Sequence, residues 1–275
     1  MEEKTQILAI MGSPSSGKTT TAVKIATELS NNKKNVIILS LDPSCPTLPY
    51  ILDATHEKSI GELFTQMQIT QKEVLSACVS SANNQYIGMM GYKLGESYSS
   101  YPKVIPSKVI DVINELKHLC EYIIIDCSTV IEADVATIIS LQVADKVLRI
   151  GTANAKGISY FFTADKLLAD SKFKKENQLM AIGNFHQEQE WRAVSQQYGG
   201  TSYLLPHCKE LEVQFNEQNL FEPIKDCEQY NAEILKITRD IFGLEIKARE
   251  KPVKTKAKKE KKKISFSFVS NKGSF

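Results

Sequence analysis

Apolar residues fall into short continuous runs along this chain, separated by amphipathic stretches. Runs such as Val36–Leu39 and Ile123–Ile125 are apolar throughout, which is typical of strands buried on both faces of a parallel sheet. The stretches between the runs have the 3.6-residue period of helices. The alternation predicts an α/β fold, a doubly wound, mostly parallel sheet with helices on both faces. The predicted strands are 6–11, 35–41, 85–91, 122–126, 146–150, 179–184 and 202–205, and the predicted helices are 18–29, 104–119, 132–143, 157–168, 193–198 and 230–242.

Composition divides the chain into two parts. The 275 residues are 42% hydrophobic, enough for one large core, but the sequence becomes rich in lysine after Gly243. We predict a globular domain over residues 1–245 and a basic, disordered tail over residues 246–275. Residues 247–275 hold eleven Lys or Arg and two Glu, a formal charge of +9. Because the whole chain carries +2, the body carries −7.

The location of the protein is predicted from what its sequence lacks. No apolar run approaches the ~20 residues that cross a bilayer. The first residues, Met-Glu-Glu-Lys, do not resemble a signal peptide. We therefore expect a cytoplasmic protein.

The motif with the most specific chemistry lies at residues 12–19, which read Gly-Ser-Pro-Ser-Ser-Gly-Lys-Thr directly after an apolar run. This is the G-x-x-x-x-G-K-[ST] phosphate loop (P-loop), placed as it must be between a strand and a helix. Its glycines let backbone N–H groups point at phosphate oxygens, and the following helix adds its positive dipole end. Lys18 is expected to reach the β- and γ-phosphates and Thr19 to bind Mg²⁺. The predicted nucleotide-binding residues of the loop are Gly12, Ser13, Pro14, Ser15, Ser16, Gly17, Lys18, Thr19 and Thr20.

Two aspartates follow buried strands and complete the predicted site. Asp126 ends the run Tyr-Ile-Ile-Ile-Asp and is the candidate Walker B carboxylate; the alternative is an N-cap residue of the next helix. Asp42 follows another strand in Leu-Asp-Pro. Ligands of open parallel sheets gather beyond the carboxyl ends of the strands. Both carboxylates are therefore expected to meet the P-loop in one crevice.

These segments together resemble the MinD/ParA group of P-loop ATPases (SIMIBI class), over residues 6–243. The resemblance includes the P-loop and the strand that ends Leu-Asp-Pro. It also includes Asp-Cys-Ser at 126–128, a variant of the D-x-P segment of that group. Further matching segments are Ala144–Val147, Gly183–Asn184 and Leu204–Pro206 before a helix that ends at Asn219.

The resemblance implies roles for particular residues. Asp42 would orient the attacking water and Lys18 would act on the transferred phosphate, while Thr19 and Asp126 would hold Mg²⁺. Asn184 and Pro206, in the rim that continues to His207, would contact the adenine of ATP. For Asn184 the alternative is a strand-end residue that satisfies its own turn. The family also implies a nucleotide-dependent homodimer that positions a partner assembly or DNA; the partner protein is not identified.

Two positions depart from the pattern of the group. Much of it has a second lysine after the first glycine of the loop, which reaches the phosphates of the partner subunit; this chain has Ser13. Ser40 replaces a first switch aspartate. TadZ/CpaE-like proteins, which also lack that lysine, are the relatives it resembles most. The bacterial tyrosine kinases lack it as well, but residues 231–275 contain no acceptor tyrosine. We therefore expect slow hydrolysis, with a non-hydrolysing ATP-bound scaffold as the alternative.

The tail leaves three interpretations open. Lys251–Lys263 followed by Phe266 and Phe268 can bind an anionic membrane, bind nucleic acid, or remain a solvated extension. The first would place the protein peripherally at the inner membrane face and the second at the nucleoid. Binding to DNA would also fit a plasmid- or chromosome-partition ATPase.

The cysteines and histidines show no metal-ligand pattern. Six cysteines occur without a C-x-x-C pair, and a cytoplasmic location disfavours disulfides. We therefore expect neither a disulfide nor a zinc site, and we expect most cysteines to be small core residues. The four histidines, His56, His118, His186 and His207, are expected to be packing or surface residues.

Overall fold

The computed structural model describes residues 4–52, 58–81 and 84–244. Within these residues the chain forms one eight-stranded sheet in the order β3-β4-β2-β5-β1-β6-β7-β8. Every neighbouring pair is parallel except β3 with β4 at one edge. The predicted mostly parallel α/β fold is therefore confirmed. The strands are β1 Gln6–Gly12, β2 Val36–Ser40, β3 Val79–Ser81, β4 Asn84–Met90, β5 Tyr122–Asp126, β6 Lys146–Thr152, β7 Gln178–Phe185 and β8 Tyr203–Pro206.

Helices follow most of the strands, as the right-handed crossovers of a parallel sheet require. The helix predicted over 132–143 is divided, because Asp134 caps a new helix by accepting from the N–H groups of Ala136 and Thr137. A 3₁₀ turn at Ile131–Ala133 precedes it. The α-helices are α1 Lys18–Asn31, α2 Leu48–Ile51, α3 Ile60–Phe64, α4 Gln71–Ala77, α5 Pro106–Leu116, α6 Val135–Val143, α7 Ala155–Leu167, α8 Trp191–Gln197, α9 Lys209–Asn216 and α10 Glu228–Phe242.

The core forms two layers, one on each face of the sheet. Alternate residues of β1 point to opposite faces, as in any strand: Leu8 and Ile10 join the layer that includes α1 and α10, while Ala9 and Met11 join the layer that includes α5 and α6. Because both layers are apolar, the central strands read as continuous apolar runs.

Strand register brings the predicted carboxylates to one edge. Asp126 lies beside Ile10 of β1 on one side and Ser40 of β2 on the other. Its carbonyl accepts the N–H of Leu41 at 2.9 Å, and the N–H of Cys127 donates to Ile10 at 3.0 Å. The ends of three adjacent strands therefore meet where the P-loop begins.

The connection after β4 is more ordered than the sequence indicates. Gly91–Pro102 reads as a solvated loop, yet Tyr92 is buried. Glu96 accepts hydrogen bonds from the Ser59 hydroxyl, the Lys93 N–H and the Tyr101 hydroxyl. The hydroxyl groups of Tyr98 and Ser128 are hydrogen-bonded to each other at 2.8 Å. This connection is thus anchored next to the segment that follows β5.

A membrane-spanning helix is not found in the described part of the chain. The predicted basic tail, residues 246–275, lies outside the described residues, as does His56.

Candidate nucleotide site

The P-loop wraps around the start of α1, and its two glycines meet different requirements. Gly17 precedes the helix with φ 88°, in the left-handed region that favours glycine. Gly12 is required for space, because a Cβ there would lie 2.1 Å from the carbonyl oxygen of Ile150. The first N–H groups of a helix have no intrahelical acceptor. The N-terminus of the 14-residue α1 is thus suited to an anion.

Lys18 turns back into the loop. Its Nζ donates to Thr129 Oγ1 at 2.8 Å and to the carbonyl oxygen of Gly12 at 3.3 Å. The carbonyl oxygen of Ser13 accepts a longer hydrogen bond from the same amine, at 3.5 Å. Burial lowers the pKa of the amine, while the neighbouring Asp126 and Asp42 carboxylates oppose that shift. A cation held among acceptors at a helix start is suited to phosphate.

Thr19 and Asp126 form the arrangement expected of a magnesium site. Thr19 Oγ1 donates to Asp126 Oδ2 at 2.6 Å. The carboxylate is 4% exposed, and burial raises its pKa to about 6 against the opposing influence of Thr19 and Lys18. Its other oxygen, Oδ1, is buried without a hydrogen-bond partner. A hydroxyl, a carboxylate and an unsatisfied carboxylate oxygen match the oxygen ligands of Mg²⁺.

Asp42 shares a cavity with these groups. Its Oδ1 accepts the N–H of Ser44 at 2.9 Å, which fixes the start of the loop after β2. The cavity, here the phosphate-side cavity, has a volume of about 210 Å³. Its lining consists of Pro14, Ser15, Lys18, Thr19, Asp42, Cys45, Thr47, Asp126, Cys127 and Thr129.

Ser13, at the position of the second lysine, faces inward. It is 1% exposed, and its hydroxyl accepts the N–H of Thr152 at 3.0 Å and lies 3.2 Å from Thr152 Oγ1. Ser13 thus fastens the loop to the end of β6, behind the cavity lining.

A second cavity of about 580 Å³, here the base-side cavity, opens along the other side of the loop. It has apolar walls at one end and the loop at the other, as a nucleoside site would. Its lining consists of Ser15, Ser16, Gly17, Lys18, Thr19, Thr20, Asn184, Pro206, His207, Cys208, Leu211, Glu212, Phe215, Asn216 and Tyr230.

Asn184 connects the loop to this rim. It has φ 51°, a region that asparagine tolerates. Its Nδ2 donates to Ser15 O at 3.1 Å, and its Oδ1 lies 2.9 Å from His207 Nδ1. The side chain therefore serves more than its own turn. The ring of His207 also contacts that of His186, with centroids 4.3 Å apart and the ring planes tilted by 36°.

The expectation of no disulfide is wrong in this structure. Cys208 and Cys227 are bonded. They are 19 residues apart in sequence, and the fold brings them together at the starts of α9 and α10. Cys120 and Cys127 are buried as expected of core residues, whereas Cys45 is exposed.

Sequence reasoning also missed several lining residues. Thr129 and Cys45 contribute to the phosphate-side cavity, and Leu211, Phe215 and Tyr230 to the base-side cavity. The signal for Thr129 was its place three residues after Asp126, at the carboxyl end of a strand. Cys45 has a similar signal, three residues after Asp42, whereas Leu211, Phe215 and Tyr230 had no local signal.

Comparison with known proteins agrees with this geometry. The AAA_31 family model, described as an AAA domain, matches residues 6–179. The chain belongs to this family, and its fold is that of the MinD/ParA P-loop ATPases. No curated protein matches the sequence significantly.

Three solved structures illustrate the likeness. The chain is similar to a ParA family ATPase from Chlorobium tepidum TLS, with 14% identity, TM-score 0.70, and 86% and 98% of the two chains covered. It is similar to the septum site-determining protein MinD complexed with Mg-ADP from Pyrococcus horikoshii, with 13% identity, TM-score 0.65, and 86% and 96% covered. The ATP complex of a Cyanothece McdA variant matches with 17% identity, TM-score 0.65, and 90% and 100% covered. At these identities the likeness concerns the fold.

Proposed function

We propose that this MinD/ParA-like protein binds Mg·ATP and hydrolyses it slowly, and that its nucleotide state controls dimerisation and the position of a partner assembly or DNA. The observation that supports this most is the single phosphate-side cavity lined by Lys18, Asp42 and Asp126. These residues come from three distant segments. The Mg-ADP and ATP complexes among structures of the same fold support the choice of ligand.

Each residue of the site has a proposed role, which the family resemblance suggests and the geometry supports. Lys18 leaves Thr129 to bind the terminal phosphates and offsets their charge. Asp42 orients a water in line with the γ-phosphate. Thr19 and Asp126 would hold Mg²⁺, which neutralises phosphate charge when bound. Asn184 and Pro206 would contact adenine.

ATP turnover of wild type, Lys18→Ala and Asp42→Ala tests these roles, with Asp145→Asn as the control because that aspartate lies at the opposite end of the sheet, before β6. Removing a preorganised cation from a reacting phosphate, or the group that positions the attacking water, lowers rates by ~10²-fold or more. We expect such losses in both site variants and none in the control. Equal turnover in all four proteins would contradict the assigned roles.

A second candidate is a scaffold that holds ATP without hydrolysing it. Ser13 favours this candidate because a serine carries no positive charge for the phosphates of a partner subunit. Its side chain also faces inward, where it is hydrogen-bonded to Thr152. Turnover at raised protein concentration, measured alongside ATP affinity, separates the two candidates. Bound ATP with no phosphate release at any concentration would establish the scaffold.

A further inference from the structure

The cysteine pair of the base-side cavity lies at the junction of two helices. Cys208 directly precedes α9 and Cys227 directly precedes α10. Their Cα atoms are 6.0 Å apart and their sulfurs are bonded. Cys208 is buried and lines the cavity, whereas Cys227 is only partly buried. The bond therefore reaches from the cavity wall to a position nearer the surface.

Helix α9 is one wall of that cavity. It contributes Leu211 and Phe215, apolar side chains against which a flat base can pack. Its polar side chains hold the connection to α10 in place. Glu210 accepts the N–H groups of Lys225 and Asp226 at 2.8–3.0 Å. The position of α9 thus decides the shape of the base side.

Helix α9 is bound to the P-loop helix α1 through a hydrogen bond from Lys24 Nζ to Gln214 Oε1 at 2.6 Å, and helix α10 is anchored to α1 as well. It packs on α1, and the Tyr230 hydroxyl lies 3.2 Å from Thr21 Oγ1. The disulfide consequently links the cavity-lining α9 to a helix fixed on the P-loop helix. This link is covalent, whereas hydrogen bonds hold α9 to the connection that precedes α10.

We propose that Cys208 and Cys227 are a reversible redox site that takes small-molecule disulfides, and that its oxidised form holds α9 against the bound nucleoside. The second half of this proposal rests on the proposed function. Thiol–disulfide exchange proceeds through thiolate attack and a mixed disulfide. The Cys227 thiolate, the more accessible one, attacks a disulfide RSSR and releases RSH. The Cys208 thiolate then displaces the second RSH, so that two thiols and RSSR yield one protein disulfide and two RSH.

A metal ion is the competing partner for this cluster. Glu210 brings a carboxylate oxygen within 4.8 Å of both sulfurs, and thiolates with a carboxylate can bind zinc. Both oxygens of Glu210 already accept backbone N–H groups. The geometry thus favours exchange between the sulfurs themselves.

The first experiment counts thiols in the full-length protein. All proteins carry Cys45→Ser, because Cys45 is exposed and would react with the oxidant. After incubation with oxidised glutathione, mass spectrometry of the alkylated protein should show two fewer thiols than in the reduced protein, restored by dithiothreitol. Cys208→Ser and Cys227→Ser should instead hold a mixed disulfide or remain reduced. An unchanged thiol count, or zinc that copurifies with the reduced protein and blocks oxidation, would overturn the proposal.

The second experiment measures the consequence. Hydrogen exchange without nucleotide should be slower over residues 209–226 in the oxidised protein than in the reduced one. ATP should bind about five- to tenfold more tightly to the oxidised form, a typical coupling between sites, while inorganic triphosphate should bind equally to both forms. The Cys208→Ser/Cys227→Ser protein should show neither difference.

The outcomes keep the two proposals apart. Failure of ATP to bind in either redox state contradicts the proposed function, and the exchange of residues 209–226 still decides whether the disulfide restrains α9. If ATP binds but neither its affinity nor the exchange depends on oxidation, the redox proposal is wrong and the proposed function is unaffected.

Discussion

The phosphate side and the base side of this site are built in different ways. On the phosphate side, one short loop and the ends of β2 and β5 provide the lining, and strand register alone brings Asp126 beside the loop. On the base side, residues from β7, β8, α9 and α10 meet. Side-chain links hold them, namely Asn184 with His207 and Cys208 with Cys227. A site that depends on backbone geometry can be recognised in short segments of the sequence. A site whose parts are joined by side chains depends on tertiary packing and cannot be recognised in this way.

The largest expected effect is that of a substitution on the phosphate side, at Asp126. Asp126→Asn keeps an acceptor for the Thr19 hydroxyl but removes the charge that Mg²⁺ requires, so ATP turnover should fall by ~10³-fold. The same change should raise the free energy of unfolding at pH 7 by about 1–3 kcal/mol, because a carboxyl whose pKa is raised to about 6 is costly to ionise in the buried site. Turnover and urea unfolding are the two measurements.

Asp145→Asn is the control for that variant, because Asp145 is a half-exposed aspartate at the other end of the sheet. It should retain turnover. A loss of stability in Asp126→Asn together with normal turnover would show that Asp126 supports the fold alone.

A similar contrast explains which strands and helices of this molecule could be predicted from its sequence. The strand Tyr122–Asp126 was predicted to the residue, because a buried parallel strand is apolar throughout. Helices α2 and α3 were missed because four and five residues are too few to display a helical period. The seven-residue α4 was missed as well, although α8, which has the same length, was predicted. The three-residue antiparallel edge strand β3 is likewise too short for a pattern.

Most of the phosphate side could be predicted and much of the base side could not. The P-loop is a motif with fixed local spacing, and each of the two aspartates stands at the carboxyl end of a buried, mostly apolar strand. Cys208 and Cys227 have no such spacing, and only the tertiary structure, in which the starts of α9 and α10 meet, reveals them as a pair. The site roles of Asn184 and Pro206 came from a resemblance and stay predictions, although both residues line the base-side cavity.

The second prediction weakens the base side by reducing its disulfide. The bonded cysteines are 19 positions apart in sequence, and a disulfide that closes a loop of about this size is expected to stabilise a protein by ~3 kcal/mol. Thermal unfolding with and without dithiothreitol measures the difference. The Cys208→Ser/Cys227→Ser protein should already unfold at the lower temperature and should not respond to dithiothreitol. If dithiothreitol lowered the unfolding temperature of that protein by the same amount, the effect on the wild type would not come from this disulfide.

The third prediction uses pH to sharpen the phosphate side. Because burial raises the pKa of Asp126 to about 6 in the metal-free protein, Mg²⁺ must displace a proton below that pH. Its affinity should fall by about tenfold per pH unit from pH 6 downwards, as measured by Mg²⁺ titration in the presence of ADP.

The contribution of Asp126 to the stability of the metal-free protein should vary with pH in the opposite direction to the Mg²⁺ affinity. The raised pKa means that the contribution of Asp126 is fully present below its ordinary value of 3.8 and is lost as the pH rises through about 6. The difference between wild type and Asp126→Asn in urea unfolding isolates this contribution. A difference that does not vary between pH 4 and pH 7 would contradict the raised pKa.

The smallest expected effect concerns Asn184, a side chain that joins the two sides. Asn184→Gly removes its bonds to Ser15 and His207 but accommodates its φ of 51°, so the backbone is not strained. Loss of one or two hydrogen bonds at the rim should weaken ATP binding by about tenfold and leave inorganic triphosphate binding unchanged. Lys33→Gly is the matched control, because Lys33 is an exposed residue of similar φ, 59°, after α1. If Asn184→Gly weakened ATP and inorganic triphosphate equally, Asn184 would act by holding the P-loop, and the division between a phosphate side and a base side would fail at this residue.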